Sequence, residues 1–201
     1  MKRLLRILLG GILIFGLLFF LVPQKPRLVG NDQWIANGGT LPSFQLPSTE
    51  GVFSTASLIG HWTLLMFGYT HCPDICPTDL AMLGQAVDLM KQSSGSISPQ
   101  VVFISGDIKR DTVPLLKEYV TSFHAGFVGA VGDAAQMKPF RDALGVYFQI
   151  NEPDKGHANY TVDHTSNIFL IDPKGRLRGT FRVPQAAAVV QKDILAMEKS
   201  E

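Results

Sequence analysis

Two cysteines with a three-residue spacer are the residues in this chain whose type and spacing best suit chemistry. Cys72 and Cys76 are its only cysteines, and a proline follows each of them, at positions 73 and 77. Their sulfurs point toward one place whether both residues lie on a helix or Cys72 lies in the turn before it. Two converging thiolates suit a soft metal ion such as Cu(I), or they form a reversible disulfide.

The alternatives for this pair are structural. A disulfide here would close too short a loop to stabilise the fold by much, and disulfide-dependent scaffolds carry more cysteines. Two inert buried cysteines fit poorly in a turn that contains two prolines. We therefore expect a chemical role, with the positive end of the following helix favouring the thiolate form. Asp74, between the cysteines, is interpreted as favourable charge at that helix end, with contact to a basic partner surface as the alternative.

Five histidines are candidates for a further ligand, because two thiolates leave most metal sites incomplete. The spacing of the cysteines does not choose among His61, His71, His124, His157 and His164. His71 adjoins Cys72, where it either shapes the turn or serves as an alternative ligand. His157 lies in a polar stretch, residues 151–159, that indicates a surface loop, and we interpret His61 and His124 as structural.

The elements that must position these residues alternate between strands and helices. Residues 63–69 and 100–105 are apolar runs of strand length, as expected for buried strands. The cysteine turn follows the first of them, at the carboxyl end where open α/β sheets place their sites. The pattern predicts an α/β fold with a central mixed sheet flanked by helices. Its other elements are a hairpin within 44–55, helices at 73–91, 112–123, 134–144 (bent or divided by Pro139) and 186–199, a strand at 127–131, and a hairpin of 166–171 with 176–182.

An apolar N-terminal segment predicts a transmembrane helix. Residues 7–22 contain no charge, Lys2, Arg3 and Arg6 precede them, and Pro23 follows. A helix of this length spans about 24 Å, close to the ~30 Å hydrocarbon core of a bilayer. No small-residue cleavage site follows, so an uncleaved anchor is favoured over a signal peptide. The basic residues before the segment predict a cytoplasmic N-terminus and a domain that faces an oxidising compartment such as a periplasm.

The chain is thereby divided into a membrane anchor at 1–24, a linker at 25–41 and one folded domain at 42–201. The linker assignment rests on its content of Pro, Gly, Asn and Gln. Lys plus Arg is 18 and Asp plus Glu is 17, so the net charge of +1 gives no argument for binding nucleic acid.

Two separated motifs resemble the Sco/SenC family. Residues 67–77 read FGYTHCPDICP, and residues 162–165 read VDHT ahead of a predicted strand. The resemblance extends through residues 104–107, 110–112 and 116–119 and covers most of 42–199. This chain reads Gly106-Asp107-Ile108 where members of the family often have Val-Asp-Pro, a departure outside the two motifs.

The resemblance implies a thioredoxin-like fold and a copper chaperone that helps assemble the dinuclear copper centre, CuA, of cytochrome c oxidase. It also implies that Cys72, Cys76 and His164 are the copper ligands, for Cu(I) and Cu(II). Asp163 is then a candidate for orienting His164, with bonding to the local backbone as the alternative. The expected partners are the copper-binding subunit of the oxidase and a copper donor or thiol reductant. The expected location is the inner membrane, with a single span and the domain in the periplasm.

Other functions remain compatible with a cysteine pair on such a fold. A thiol–disulfide oxidoreductase would use Cys72 and Cys76 as a redox disulfide to reduce cysteines of an oxidase subunit. Oxidoreductases of the thioredoxin type usually have a two-residue spacer and a proline immediately before the strand that faces the pair. The three-residue spacer and His164-Thr165 favour a metal, so we expect a metallochaperone rather than an enzyme. A thiol peroxidase or redox sensor is the third possibility, and it would turn over peroxide rapidly.

Overall fold

The computed structural model describes residues 28, 32–35, 38–93, 97–151 and 160–199. The predicted N-terminal anchor, residues 1–24, and His157 lie outside these described residues. Within the described part of the chain, no helix is both long enough and apolar enough to cross a membrane.

A mixed β-sheet forms the centre of the described structure. Its strands are β1 (Gln33–Trp34), β2 (Gln45–Ser48), β3 (Gly51–Ser54), β4 (Thr63–Gly68), β5 (Gln100–Ser105), β6 (Val128–Val131), β9 (Ile168–Ile171) and β10 (Leu177–Phe181). Strands β4, β5 and β6 are parallel to one another, and the strands on either side of them run antiparallel to their neighbours. The order across the sheet is β1-β10-β9-β4-β5-β6-β2-β3.

In the described part of the chain, four α-helices and a short 3-10 helix pack against this sheet. The helices are α1 (Ile75–Gln92), α2 (Val113–Thr121), α3 (Ala134–Leu144) and α4 (Ala187–Glu198), and the 3-10 helix is Thr55–Leu58. Strand β4 is buried along its whole length, because its alternate side chains face two separate apolar layers. Leu64 and Met66 face the layer of α1, α2 and α4, whereas Leu65 and Phe67 face the layer of α3. The mixed α/β fold predicted from the sequence is therefore confirmed.

Two strands missed by the sequence patterns form a separate hairpin. Strand β7 (Phe148–Asn151) pairs antiparallel with β8 (Thr161–His164), outside the main sheet. His164 thereby becomes the last residue of a strand, opposite Phe148.

Three further details differ from the sequence-based expectations. Gln33 and Trp34, within the predicted linker, pair with Thr180 and Gly179 at the edge of the main sheet. Helix α3 continues through Pro139, so this proline does not divide it. Helix α1 begins at Ile75, two residues later than predicted, and this shift decides where the first cysteine lies.

Candidate metal centre

The cysteine pair lies at the carboxyl end of β4, where the chain turns into α1. The amide of Cys72 donates to the carbonyl of Tyr69 (3.2 Å), which closes a turn before the helix begins. Cys72 therefore lies in the entering turn and is half-buried, whereas Cys76 lies in the first turn of α1 and is fully buried. Of the two placements that the spacing allowed, the structure shows the one in which only the second cysteine is helical.

The sulfur of Cys76 fills space that a glycine leaves open. A Cβ atom placed on Gly68 would approach Cys76 Sγ to 2.7 Å and the ring of Phe103 to 2.6 Å, so any side chain there would displace the sulfur or the ring. Burial raises the pKa of the Cys76 thiol well above its ordinary value. The expectation that the helix N-terminus favours its thiolate is wrong, because desolvation outweighs that effect. A bound cation must therefore replace the thiol proton.

The third donor comes from the β7–β8 hairpin. His164 is 88 residues from Cys76 in sequence, yet its Nε2 lies 3.5 Å from Cys76 Sγ. Cys72, Cys76 and His164 each offer one ligand atom, and these atoms all lie within 4.8 Å of one another. Donors that share one ion in a plane lie about 3.8 Å apart when their bonds to it are about 2.0–2.3 Å. The three atoms could therefore bind one ion after small side-chain movements.

The imidazole of His164 is held in the form that a metal requires. Its Nδ1 lies 3.1 Å from the carbonyl oxygen of Thr165. A carbonyl only accepts hydrogen bonds, so Nδ1 carries the proton and the lone pair is on Nε2, toward Cys76. The Tyr69 ring packs edge-on against the imidazole, with ring centroids 6.0 Å apart, and the Phe148 ring centroid lies 6.3 Å from that of the imidazole. Burial lowers the pKa of His164, which keeps the imidazole neutral and able to bind a cation.

The segment of residues 106–111 holds the two halves of the site together. The Asp111 carboxylate accepts from the amide of Thr70 (2.9 Å), from its hydroxyl (2.5 Å) and from the hydroxyl of Ser105 (2.5 Å). These bonds fix the start of the cysteine turn to the end of β5. Asp111 itself is almost fully buried, so the bonds are shielded from water.

The same segment also binds the hairpin that carries His164. Arg110 Nε donates to Asp107 (2.6 Å), and its Nη1 donates to the carbonyl of Tyr160 (3.1 Å), just before β8. The guanidinium lies over the Tyr160 ring at 3.6 Å and 5.6 Å from the Tyr69 ring centroid. The hydroxyl of Tyr160 donates to Asp107. Arg110 therefore links the strand that carries His164 to the turn that carries Cys72.

Sequence reasoning missed several of these contributors. Thr165 supports His164 through its backbone carbonyl, which no side-chain pattern reveals. Gly106 makes room for Phe148, whose ring a Cβ at this position would approach to 2.5 Å. The sequence offered one signal of this close contact, since it has Gly106 where members of the family often have valine. The assignment of a supporting role to Asp163 stays a prediction, since this residue is exposed and acts on the His164 pKa through its charge.

The other histidines of the described structure lie outside the cluster of three donors. His71 is exposed, and its Nδ1 is 3.0 Å from the Thr70 hydroxyl and 3.8 Å from Asp111, as expected for a residue that shapes the turn. His124 lies on another part of the surface, with its Nε2 3.0 Å from Lys91 Nζ and 3.5 Å from Asp88. His61 borders the same surface region as His124.

Comparison with known proteins identifies similar chains and structures. A family model described as SCO1/SenC matches residues 36–198. A SCO2-like protein of Rickettsia prowazekii is 36% identical over 200 residues, which cover 97% of this chain and 93% of the relative. The crystal structure of Arabidopsis thaliana ScoI with copper bound has a TM-score of 0.74 and 31% identity, covering 81% of this chain and 100% of that one. Yeast Sco1 with copper bound has a TM-score of 0.74 and 30% identity, covering 81% and 91%. These matches confirm the thioredoxin-like fold expected from the sequence.

Proposed function

This chain belongs to the SCO1/SenC family, and from that premise we propose that it is a copper metallochaperone. It binds copper as cargo through Cys72, Cys76 and His164 and delivers it to the CuA centre of cytochrome c oxidase. The copper-bound relatives support the choice of metal. The observation that carries the proposal is the convergence of two thiols and a neutral imidazole within 4.8 Å.

The donor set fits copper in both of its oxidation states. Two thiolates are the soft ligands that Cu(I) prefers, and an imidazole completes a trigonal site. Cu(II) accepts the same three donors with a fourth ligand added, such as water. The neutral Nε2 of His164 needs no deprotonation, whereas each thiol that binds copper releases a proton.

The unequal burial of the two cysteines indicates a direction for transfer. Cys76 is fully buried, whereas Cys72 is half-buried and lies in the turn after the carboxyl end of β4. Thiols of a recipient therefore reach the copper from the Cys72 side. We propose that exchange begins by replacement of Cys72 as ligand, with Cys76 released last.

The proposed location follows from the N-terminal sequence. We propose that residues 1–24 anchor the chain in the inner membrane by a single span, with the domain in the periplasm. The donor set requires reduced thiols, and an oxidising compartment converts such pairs to disulfides. A thiol reductant or a copper donor in the same compartment is therefore part of the proposal.

An anaerobic titration with Cu(I) against a competing chelator tests the metal site. We expect one tightly bound equivalent in the reduced full chain and loss of tight binding in Cys72→Ala and Cys76→Ala. His164→Ala should weaken Cu(II) binding more than Cu(I) binding, because two thiolates still hold Cu(I) linearly. His124→Ala is the matched control, since this histidine lies outside the cluster. Equal binding of Cu(II) by wild type and His164→Ala would remove His164 from the site.

A second function is favoured by the accessibility of one thiol in a close pair. Cys72 is half-buried and its sulfur lies within 4.8 Å of the Cys76 sulfur, so a disulfide between them needs only a small movement. The chain would then act as a thiol–disulfide oxidoreductase on cysteines of an oxidase subunit. An insulin-reduction assay separates the two functions, because a general reductant reduces this unrelated substrate and a dedicated metallochaperone does not.

A further inference from the structure

A cleft beside the metal site is lined by none of the three copper donors. Its volume is about 240 Å³, and its lining residues come from the start of α1, from the loop after β8 and from the chain after β10. They are Asp74, Ile75, Thr78, Asp79, Ser166, Val183 and Pro184. Ser166 lies two residues beyond His164, and Ile75 directly precedes Cys76. The cleft is therefore close enough to the copper site for a copper recipient to contact both.

A buried carboxylate with one unpartnered oxygen lies in the cleft. Asp79 is only 2% exposed, and its Oδ2 has no hydrogen-bond partner among the described residues. A buried charge is costly unless it is paired, so natural proteins rarely leave one in this state without a functional reason. The carboxylate is therefore suited to a donor that arrives from outside.

The remaining walls define the shape and chemistry of that donor. Ile75, Val183 and Pro184 offer apolar surface, and Ile75 is 46% exposed in the uncovered cleft. The exposed Asp74 adds a second carboxylate to the lining. An apolar stem that ends in a cation complements such walls, and lysine is the slender natural side chain of this form.

We propose that this cleft receives a lysine side chain from the protein to which copper is delivered, with the ammonium paired to Asp79. The identity of that protein as the copper recipient rests on the proposed function. A Cu(I) ion held by two thiolates carries a net negative charge, and Asp74 and Asp79 add to it. A lysine of the recipient complements this charge and stabilises the Cys72 and Cys76 thiolates as copper leaves them.

Small cations that imitate lysine test the cleft without copper. The methyl NMR signals of Ile75 and Val183 are followed at pH 8, where Asp79 is ionised, during titration with n-butylammonium or neutral n-butanol. The reduced full chain is kept in solution with a non-ionic detergent. We expect n-butylammonium to bind about tenfold more tightly than n-butanol, because its hydrogen bond to Asp79 is charge-assisted. Asp79→Asn preserves the shape of the side chain and should remove this preference.

Asp88→Asn is the matched control, because Asp88 is an exposed aspartate on α1 about 14 Å further along the helix axis. It should leave the preference for n-butylammonium unchanged. Equal binding of the alcohol and the ammonium by wild type would overturn the proposal, since the cleft would then be only an apolar groove. The same conclusion would follow if Asp79→Asn bound n-butylammonium as tightly as wild type.

Copper transfer then tests the source of the lysine. The second-order rate constant is measured from the copper-loaded full chain to the soluble copper-binding domain of the oxidase subunit. Asp79→Asn should lower this constant about tenfold, by the loss of one charge-assisted pair, while Asp88→Asn leaves it unchanged. An unchanged constant in Asp79→Asn would overturn the assignment of the lysine to the recipient. The n-butylammonium titration needs no copper, so failure of wild type to transfer copper would contradict the proposed function alone.

Discussion

The two parts of the candidate metal centre are attached to the fold in different ways. The cysteine turn with the first turn of α1, which we call the thiol arm, continues from β4 in the middle of the eight-stranded sheet. The β7–β8 hairpin, which we call the imidazole arm, is a two-stranded sheet outside it. Isolated two-stranded hairpins are marginally stable, whereas a buried central strand opens only with the whole domain. The thiol arm is therefore the fixed part of the site and the imidazole arm the adjustable part.

This difference matches the demands of the two copper states. Cu(I) is satisfied by the two thiolates, which the fixed arm holds, whereas Cu(II) requires the additional donor of the adjustable arm. The imidazole arm is supported by a small apolar cluster of Tyr69, Tyr160 and Val162 and by the contacts of Arg110. We therefore expect perturbations of the thiol arm to affect both copper states and perturbations of the imidazole arm to affect mainly Cu(II).

A pair of glycine substitutions gives the sharpest test, since one glycine supports each arm. In Gly68→Ala the new Cβ would lie 2.7 Å from Cys76 Sγ, next to a ring in the packed core. We expect Cu(I) and Cu(II) affinities both to fall by about 10²-fold, because overpacking strain of about 1–3 kcal/mol acts on a ligand. In Gly106→Ala the half-buried Phe148 ring can move aside, so Cu(II) affinity should fall about tenfold, at the low end of that strain, and Cu(I) affinity should fall less. Competition with a chelator measures the Cu(I) and Cu(II) affinities of each variant. Equal loss of Cu(I) affinity in the two variants would refute the division into arms.

Arg110 provides the next test, because it binds the imidazole arm to the rest of the site. Arg110→Ala removes the donor to the Tyr160 carbonyl and the cation over the Tyr160 ring. We expect Cu(II) affinity to fall about tenfold, as for other residues that orient a ligand, and amide exchange in β7 and β8 to become faster. Arg110→Lys keeps the charge but loses the planar stack, so it should restore only part of the affinity. Faster exchange spread evenly over β4 and α1 would instead indicate general destabilisation.

A further expected effect concerns stability and pH at Asp79, which directly follows the thiol arm on α1. Burial, followed by the charge of Asp74, raises the pKa of Asp79 from 3.8 to about 7. Since the folded-state pKa is raised, protonated Asp79 stabilises the fold at low pH, and this contribution is lost as the pH rises from about 4 through about 7. Asp79→Asn should match wild type at pH 4 and exceed its free energy of unfolding at pH 8 by about 1–3 kcal/mol, the cost of an unpaired buried group. Urea unfolding at pH 4 and pH 8 measures these free energies. The same decrease in both proteins between the two pH values would contradict the prediction.

Most of the sheet and its helices could be predicted from the sequence because their signals are local. The apolar runs that became β4 and β5, and the turn at residues 172–175 between β9 and β10, follow from periodicity and turn chemistry. The β7–β8 hairpin was missed, because its pairing joins segments separated by residues 152–160 and each strand has only four residues. Helix α3 was predicted correctly, but its continuity through Pro139 depends on packing and on the cap at Asp133.

The candidate site divides in the same way. The spacing of Cys72 and Cys76 predicted converging sulfurs, and the structure brings them together. No spacing rule could select His164, which is 88 residues from Cys76 and reaches it through a hairpin with non-local pairing. His164 was predicted as a ligand only from the resemblance to the Sco/SenC family. The pKa of Cys76 was predicted in the wrong direction, because the sequence shows the helix terminus but not the depth of burial.

The edge strand β1 limits how far the domain can move from its proposed anchor. Gln33 and Trp34 are fixed to β10 by pairing, so only eight residues, 25–32, separate the sheet from the proposed anchor at 1–24. Eight extended residues reach at most about 28 Å. Strand β1 would therefore stay close to the membrane, so that a membrane-bound recipient meets the domain at a high effective concentration. Such a tether lets a weak complex suffice for delivery, and a weak complex also separates quickly once the copper has been passed on.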